Sequence, residues 1–168
     1  MTELDSWLEE ATPHHQRVIV CFDRELIAEW EEASEDLREA SKGMLQPPPD
    51  LKERVEELAG KVNAAKKQFV FRSIGHRPWR RLLGEHPPSK EQRAELGLDH
   101  DPESFMPAAM AATCDEPGMT IEQAEKIMET QPDLVVNRLW AAVLESNVIG
   151  GDEKKVGATV APPVSEQK

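Results

Sequence analysis

Two kinds of hydrophobic pattern occur in the first half of the chain. Residues 16–22 contain a continuous apolar run from position 18 onward that is rich in β-branched side chains, which predicts a strand with both faces covered. Residues 68–74 carry two phenylalanines and a valine and predict a second strand. Between the strands, apolar residues recur every three or four positions, which is the spacing of a helical face. We therefore expect a β-α-α-β unit whose two strands either pair with each other at the base of a helical hairpin or add strands from other subunits, which would make the protein an oligomer or a strand-accepting chaperone.

The two predicted helices of this unit have matching apolar seams. The first seam consists of Leu26, Trp30, Ala33, Leu37, Ala40 and Met44, and the second of Leu51, Val55, Leu58, Val62 and Ala65. Asp23 is placed to cap the first helix, and Asp50 with Glu53 has the spacing of a capping box for the second. Three prolines at residues 47–49 form a stiff turn between them. Because the outer face of the first helix is acidic, the pattern predicts an acidic antiparallel hairpin.

A further short helix is predicted within residues 1–13, ahead of the first strand. Ser6 followed by Glu9 has capping-box spacing, and Pro13 ends the helix. Trp7 and Leu8 give it one small apolar face. We expect this segment to be held loosely.

The second half of the chain contains only short helical patterns separated by proline and glycine. Ser89, Asp101 and Thr120 are placed to start three of these helices, and Pro78 and Pro132 suit the first turns of two others. The predicted fold is therefore α+β and mostly helical, with a β-α-α-β unit followed by a bundle of short helices. We expect three regions: residues 1–75 with the acidic hairpin, residues 76–147 with the helical bundle, and a disordered tail at 148–168.

Composition narrows the class of protein. The chain has 168 residues and a formal net charge of −12, which disfavours binding to nucleic acid or to anionic lipid. Its acidic N-terminus does not resemble a signal peptide, and no apolar run approaches the ~20 residues of a membrane-spanning helix. Cys21 and Cys114 lie in apolar contexts without a CxxC pattern, so we interpret both as buried free thiols of a reducing compartment.

The only basic cluster lies at residues 74–88, where the two predicted halves join. Arg77, Arg80 and Arg81 surround Trp79 there, and a His-Pro-Pro sequence follows. We interpret Trp79 as a core anchor and the arginines as partners of acidic helices, either within the fold or between subunits. A protein-binding surface made of Arg77, Trp79, Arg80 and Arg81 is the alternative.

Candidate chemistry is sparse. The five histidines lack partners at metal-ligand spacing, and the many carboxylates follow helix faces rather than forming a catalytic pair. No nucleophile motif and no glycine-rich phosphate loop is present in the sequence. We therefore expect a protein that is not an enzyme, with no cofactor and no metal.

A family resemblance is carried by the second half of the chain. It rests on an Arg/Trp turn, a His-Pro-Pro-Ser sequence, a "peSF-pa-aaC" helix, an "EPg-T" turn and a closing Trp helix. Here these features fall at Arg77 and Trp79 and at residues 86–89, 105–114, 116–120 and 140–147. Together with the opening VIVCFDRELIAEWEEA, the pattern resembles the tail assembly chaperones of long-tailed (siphovirus) actinobacterial phages over residues 16–147.

The resemblance implies a non-enzymatic function in the cytoplasm of the host cell. Proteins of this family bind the long helical tape measure protein, help to recruit tail tube protein, and are absent from the mature virion. The resemblance also implies a homo-oligomer and a longer product of a programmed frameshift, for which codons near Glu153, Lys154 and Lys155 are the candidate site. We interpret this chain as the short form of the pair. The alternative is a structural minor tail or head-completion protein that stays in the virion.

Overall fold

Eight α-helices and three short β-strands make up residues 2–149, the part of the chain that the computed structural model describes. The elements are α1 (Glu3–Glu10), β1 (His15–Cys21), α2 (Arg24–Ala40), α3 (Pro49–Ala65), β2 (Lys66–Arg72), α4 (His76–Glu85), α5 (Lys90–Leu96), α6 (Pro102–Thr113), β3 (Cys114–Glu116), α7 (Ile121–Thr130) and α8 (Asp133–Leu144). A π-helical turn (Glu145–Ile149) follows α8. The predicted fold class, mostly helical α+β, is confirmed. The predicted disordered tail begins two residues too early, because residues 148–149 belong to this π-helical turn, and the rest of the predicted tail lies outside the described residues.

The chain forms two compact units. Within the described residues, one consists of residues 18–69, and the other combines residues 2–17 with residues 70–149. The boundaries fall within β1 and β2. The predicted division at residue 75 places the boundary a few residues later and assigns the N-terminal segment to the same half as the hairpin.

A three-stranded sheet has the order β1-β2-β3, so β1 and β2 are neighbours, as the pairing of the two predicted strands requires. The sequence did not reveal β3, which pairs antiparallel with β2 through Val70 opposite Glu116 and Phe71 opposite Cys114. A three-residue strand is too short to show alternation, so its partner defines it. The expectation that both faces of the first strand are covered is wrong, because the side chain of Ile19 is 46% exposed.

The unit of residues 18–69 contains the predicted helical hairpin, in which α2 packs against α3. Asp23 caps α2 as predicted, since its carboxylate accepts a hydrogen bond of 3.0 Å from the Leu26 amide. Ala33 and Leu58 are the buried members of the two seams, whereas Met44 lies beyond the end of α2 and is exposed. The predicted Asp50 cap is wrong. Pro48 is the N-cap, because Pro49 has a backbone geometry suited to the first helical position.

The other unit contains α1 and the bundle from α4 to α8. Capping boxes at Ser89 and Thr120 and the Asp101 cap start α5, α7 and α6 as predicted. The predicted Ser6 cap of α1 is wrong. Thr2 caps this helix instead, because the Asp5 carboxylate bonds back to the Thr2 amide at 2.6 Å. The largest fully buried side chains of the unit are Phe71, Phe105, Met110, Leu139 and Val143.

Candidate protein-binding surfaces

Helix α4 has one buried face and one basic face. Trp79 is only 7% exposed, and its indole meets the ring of Phe105 edge-on with centroids 5.3 Å apart. Phe105 also contacts Trp140 at 5.9 Å and the His100 ring at 4.8 Å, both edge-on. Edge-to-face contacts of this kind are favourable because ring edges are positive and ring faces are negative. Trp79 therefore belongs to an aromatic core.

The opposite face of α4 forms what we call the arginine surface, made of Arg77, Arg80 and Arg81. Positions i, i+3 and i+4 lie together on a helix, and all three side chains are exposed. Gly84 continues the same face one turn later, and a Cβ atom added there would meet no atom within 4 Å. The arginine surface is thus a small, open cationic patch on an acidic protein.

No guanidinium of the arginine surface takes part in an ion pair or a hydrogen bond within residues 2–149. The neighbouring Arg72 does find an acidic partner, in β3 rather than in the hairpin. Its Nε lies 3.4 Å from Asp115 Oδ1, and His15 Nε2 lies 3.6 Å from Asp115 Oδ2. Pairing of the arginine surface with a neighbouring subunit stays a prediction.

Two polar networks hold the ends of α4. At its start, the side chain of Asn147 accepts a hydrogen bond of 2.9 Å from the Ile74 amide and donates one of 3.2 Å to the Arg72 carbonyl. At its end, His86 Nδ1 lies 3.0 Å from Ser104 Oγ, and the His86 carbonyl accepts a hydrogen bond of 2.8 Å from the Asp101 amide. The helix that carries the arginine surface is therefore fixed at both ends.

Asp101 links this second network to the bundle. Its carboxylate accepts hydrogen bonds from Gln92 Nε2 at 3.0 Å and from Ser104 Oγ at 2.8 Å. These bonds, the one from Gln92 first, hold the pKa of Asp101 below its ordinary value. A hydrogen bond from His100 likewise lowers the pKa of Asp99. The Asp101 carboxylate thus connects α5 to the start of α6, and the Asp99 carboxylate binds its neighbour His100 in the loop between these helices.

Helix α1 forms a second surface of different character. Leu4, Trp7 and Leu8 share one face and are 57%, 59% and 64% exposed. No residue of the helix is buried, and four acidic side chains with no basic one surround the apolar stripe. Sequence reasoning found Trp7 and Leu8 but omitted Leu4, because placing the cap at Ser6 excluded it from the helix.

The described residues contain little else that could act chemically. Among residues 2–149, no group of three or more His, Cys, Asp or Glu side chains is arranged to hold a metal ion. Cys21 and Cys114 are buried and free, as predicted, and burial raises the pKa of the Cys114 thiol, which makes it a poor nucleophile. Within the same residues, no helix combines the length and the apolar character needed to cross a membrane.

Comparison with protein-family models, with curated proteins and with solved structures finds no match for this chain.

Proposed function

We propose that this chain is a tail assembly chaperone of a long-tailed phage. In this proposal it binds the tape measure protein without covalent chemistry, assists assembly of the tail tube protein, and acts in the host cytoplasm as the short form of a frameshifted pair. The motif resemblance supports the identity of the partner, and the surface supports the mode of binding.

The observation that carries the proposal is the contrast between an acidic surface and the large apolar side chains left exposed on it. The formal net charge is −12. Large apolar residues nevertheless face solvent on α1, at the turn of the hairpin, and on α5 and α8: Leu4, Trp7, Leu8, Met44, Leu45, Leu96 and Leu134. Adjacent exposed apolar residues rimmed by charged ones, such as those of α1 and of the hairpin turn, are typical of surfaces that bind other proteins.

A tape measure protein is a long amphipathic helix that would aggregate without a partner. Exposed leucines and methionines on short helical elements can cover the apolar face of such a helix. The excess of carboxylates keeps the resulting complex soluble, because like charges on neighbouring complexes repel each other. Binding of this kind requires no catalytic group.

Co-expression with the tape measure protein of the same genome tests the proposal. We expect the tape measure protein to move from the insoluble to the soluble fraction and to co-purify with this chain. The hairpin turn offers a designed variant, because Met44 is 60% exposed and Leu45 is fully exposed. M44S/L45S should reduce recovery of soluble tape measure protein, whereas K42S/Q46S, which changes polar residues of the same turn, should not. Equal insolubility with and without the wild-type chain contradicts the proposal.

Purified virions distinguish the alternative. A chaperone should be absent from mature particles, so mass spectrometry should find at most traces of this chain. Recovery in stoichiometric amount would instead indicate a structural minor tail or head-completion protein.

A further inference from the structure

Two exposed surfaces of one compact unit have opposite character. The apolar stripe of α1 lies between Glu3 and Glu10 on one side and Asp5 and Glu9 on the other. The arginine surface of α4 presents three guanidiniums that form no ion pair within 4.0 Å among residues 2–149, although Arg80 lies near enough to Asp99 to interact with it electrostatically. The acidic surface of α1 and the basic surface of α4 are therefore complementary in charge.

The spacing of the two surfaces also corresponds. Leu4, Trp7 and Leu8 stand at positions i, i+3 and i+4 of α1, and the three arginines stand at the same positions of α4. Arginine stems are apolar and cover apolar side chains, and a guanidinium binds favourably over an indole face. Carboxylates flanking the stripe can pair with the same guanidiniums. Gly84 leaves open space on this face of α4 for an approaching helix.

We propose that α1 of one copy of this chain docks on the arginine surface of a second copy. Both surfaces are free on the same molecule, since Leu4, Trp7 and Leu8 are each more than half exposed and all three arginines face solvent. A contact between two different surfaces of identical chains is heterologous, so it joins copies head to tail. The inference goes beyond the proposed function, and neither depends on the other.

Sedimentation of the full chain at physiological ionic strength tests the docking, because salt screens the general repulsion between chains of net charge −12. We expect the average mass to rise with protein concentration. Two variants each remove one side: L4A/W7A/L8A, which keeps the Thr2 cap and good helix formers, and R80E/R81E. Each should lower the association constant by at least roughly tenfold.

Mixing the two variants provides the decisive measurement. L4A/W7A/L8A keeps an intact arginine surface, and R80E/R81E keeps an intact α1, so an equimolar mixture should form a one-to-one dimer and nothing larger. Neither variant alone should associate. Circular dichroism and thermal melting should show that both remain folded.

Matched controls separate this contact from general effects of charge and hydrophobicity. R54E/R93E reverses two exposed helical arginines elsewhere, and L96A/L134A removes two other exposed leucines; both should associate like the wild type. A wild-type chain that stays monomeric at every concentration overturns the proposal. So does a mixture that fails to form the dimer, or equal loss of association in either control.

Docking of α1 on the arginine surface of its own chain is the remaining geometry. The segment that follows α1 lies close to the segment that precedes α4, since the His14 carbonyl accepts a hydrogen bond of 2.8 Å from the Ser73 amide. In that case R80E/R81E would change the fluorescence of Trp7 in a chain that is monomeric throughout, a result that overturns the proposal.

Discussion

Trp79 and its neighbour Arg80 show how adjacent residues of one helix separate stability from binding. Trp79 is 7% exposed and packs edge-on against Phe105, whereas Arg80 faces solvent. Replacing Trp79 with Ala should lower the free energy of unfolding by about 3 kcal/mol, because it leaves a cavity in the aromatic core. Urea denaturation measures this change. R80A should alter stability by no more than about 0.5 kcal/mol, and an unchanged midpoint for W79A would show that Trp79 is a surface residue after all.

Individual buried residues were only partly predictable from the sequence. The sequence predicts Trp79 as a core residue, because large aromatic side chains dominate the packing where two parts of a chain join. The role of Asn147 was not foreseen, since its partners Ile74 and Arg72 lie 73 and 75 residues earlier in the chain. Side-chain bonds over such distances leave no local pattern.

At the scale of elements, two glycines should respond to the same substitution in opposite directions. Gly60 lies inside α3 with nothing within 4 Å of an added Cβ, so Ala there should stabilise the protein by about 0.5–1 kcal/mol. Gly97 ends α5 in the left-handed conformation with φ of 64°, and Ala should cost about 1 kcal/mol. Urea denaturation of G60A and G97A provides the test. The explanation from helix geometry fails if the two variants shift the midpoint in the same direction.

The starts of two helices were predictable because the sequence supplies both partners of a capping box. The Ser89 and Thr120 capping boxes each bring a hydroxyl and a glutamine within reach of free amides, and both helices begin there. Asp50 and Glu53 have similar spacing, but the preceding prolines already start α3. Strand β3 had no local signal at all, because pairing with Val70 and Phe71 is what makes it a strand.

At the scale of the molecule, a division drawn along the sequence could not describe the compact units. Within the described residues, one unit combines residues 2–17 with residues 70–149. Such a unit depends on contacts between distant segments, for example the backbone hydrogen bond between Ser73 and His14. Hydrophobic periodicity reports only on neighbours in sequence, so it identified the helical hairpin but could not show which distant segments pack together.

The excess of carboxylates leads to a prediction about how the melting temperature of the whole chain depends on salt. With a formal net charge of −12, like charges repel throughout the folded protein, whereas the lysine ion pairs of the hairpin helices are exposed and contribute little. Added sodium chloride screens the repulsion. The melting temperature at pH 7.5, measured by calorimetry on dilute monomer, should therefore rise with salt. Near the isoelectric point of about 4.9 the same salt should have a much smaller effect. A melting temperature that falls with salt at pH 7.5 would mean that attractive ion pairs outweigh the repulsion.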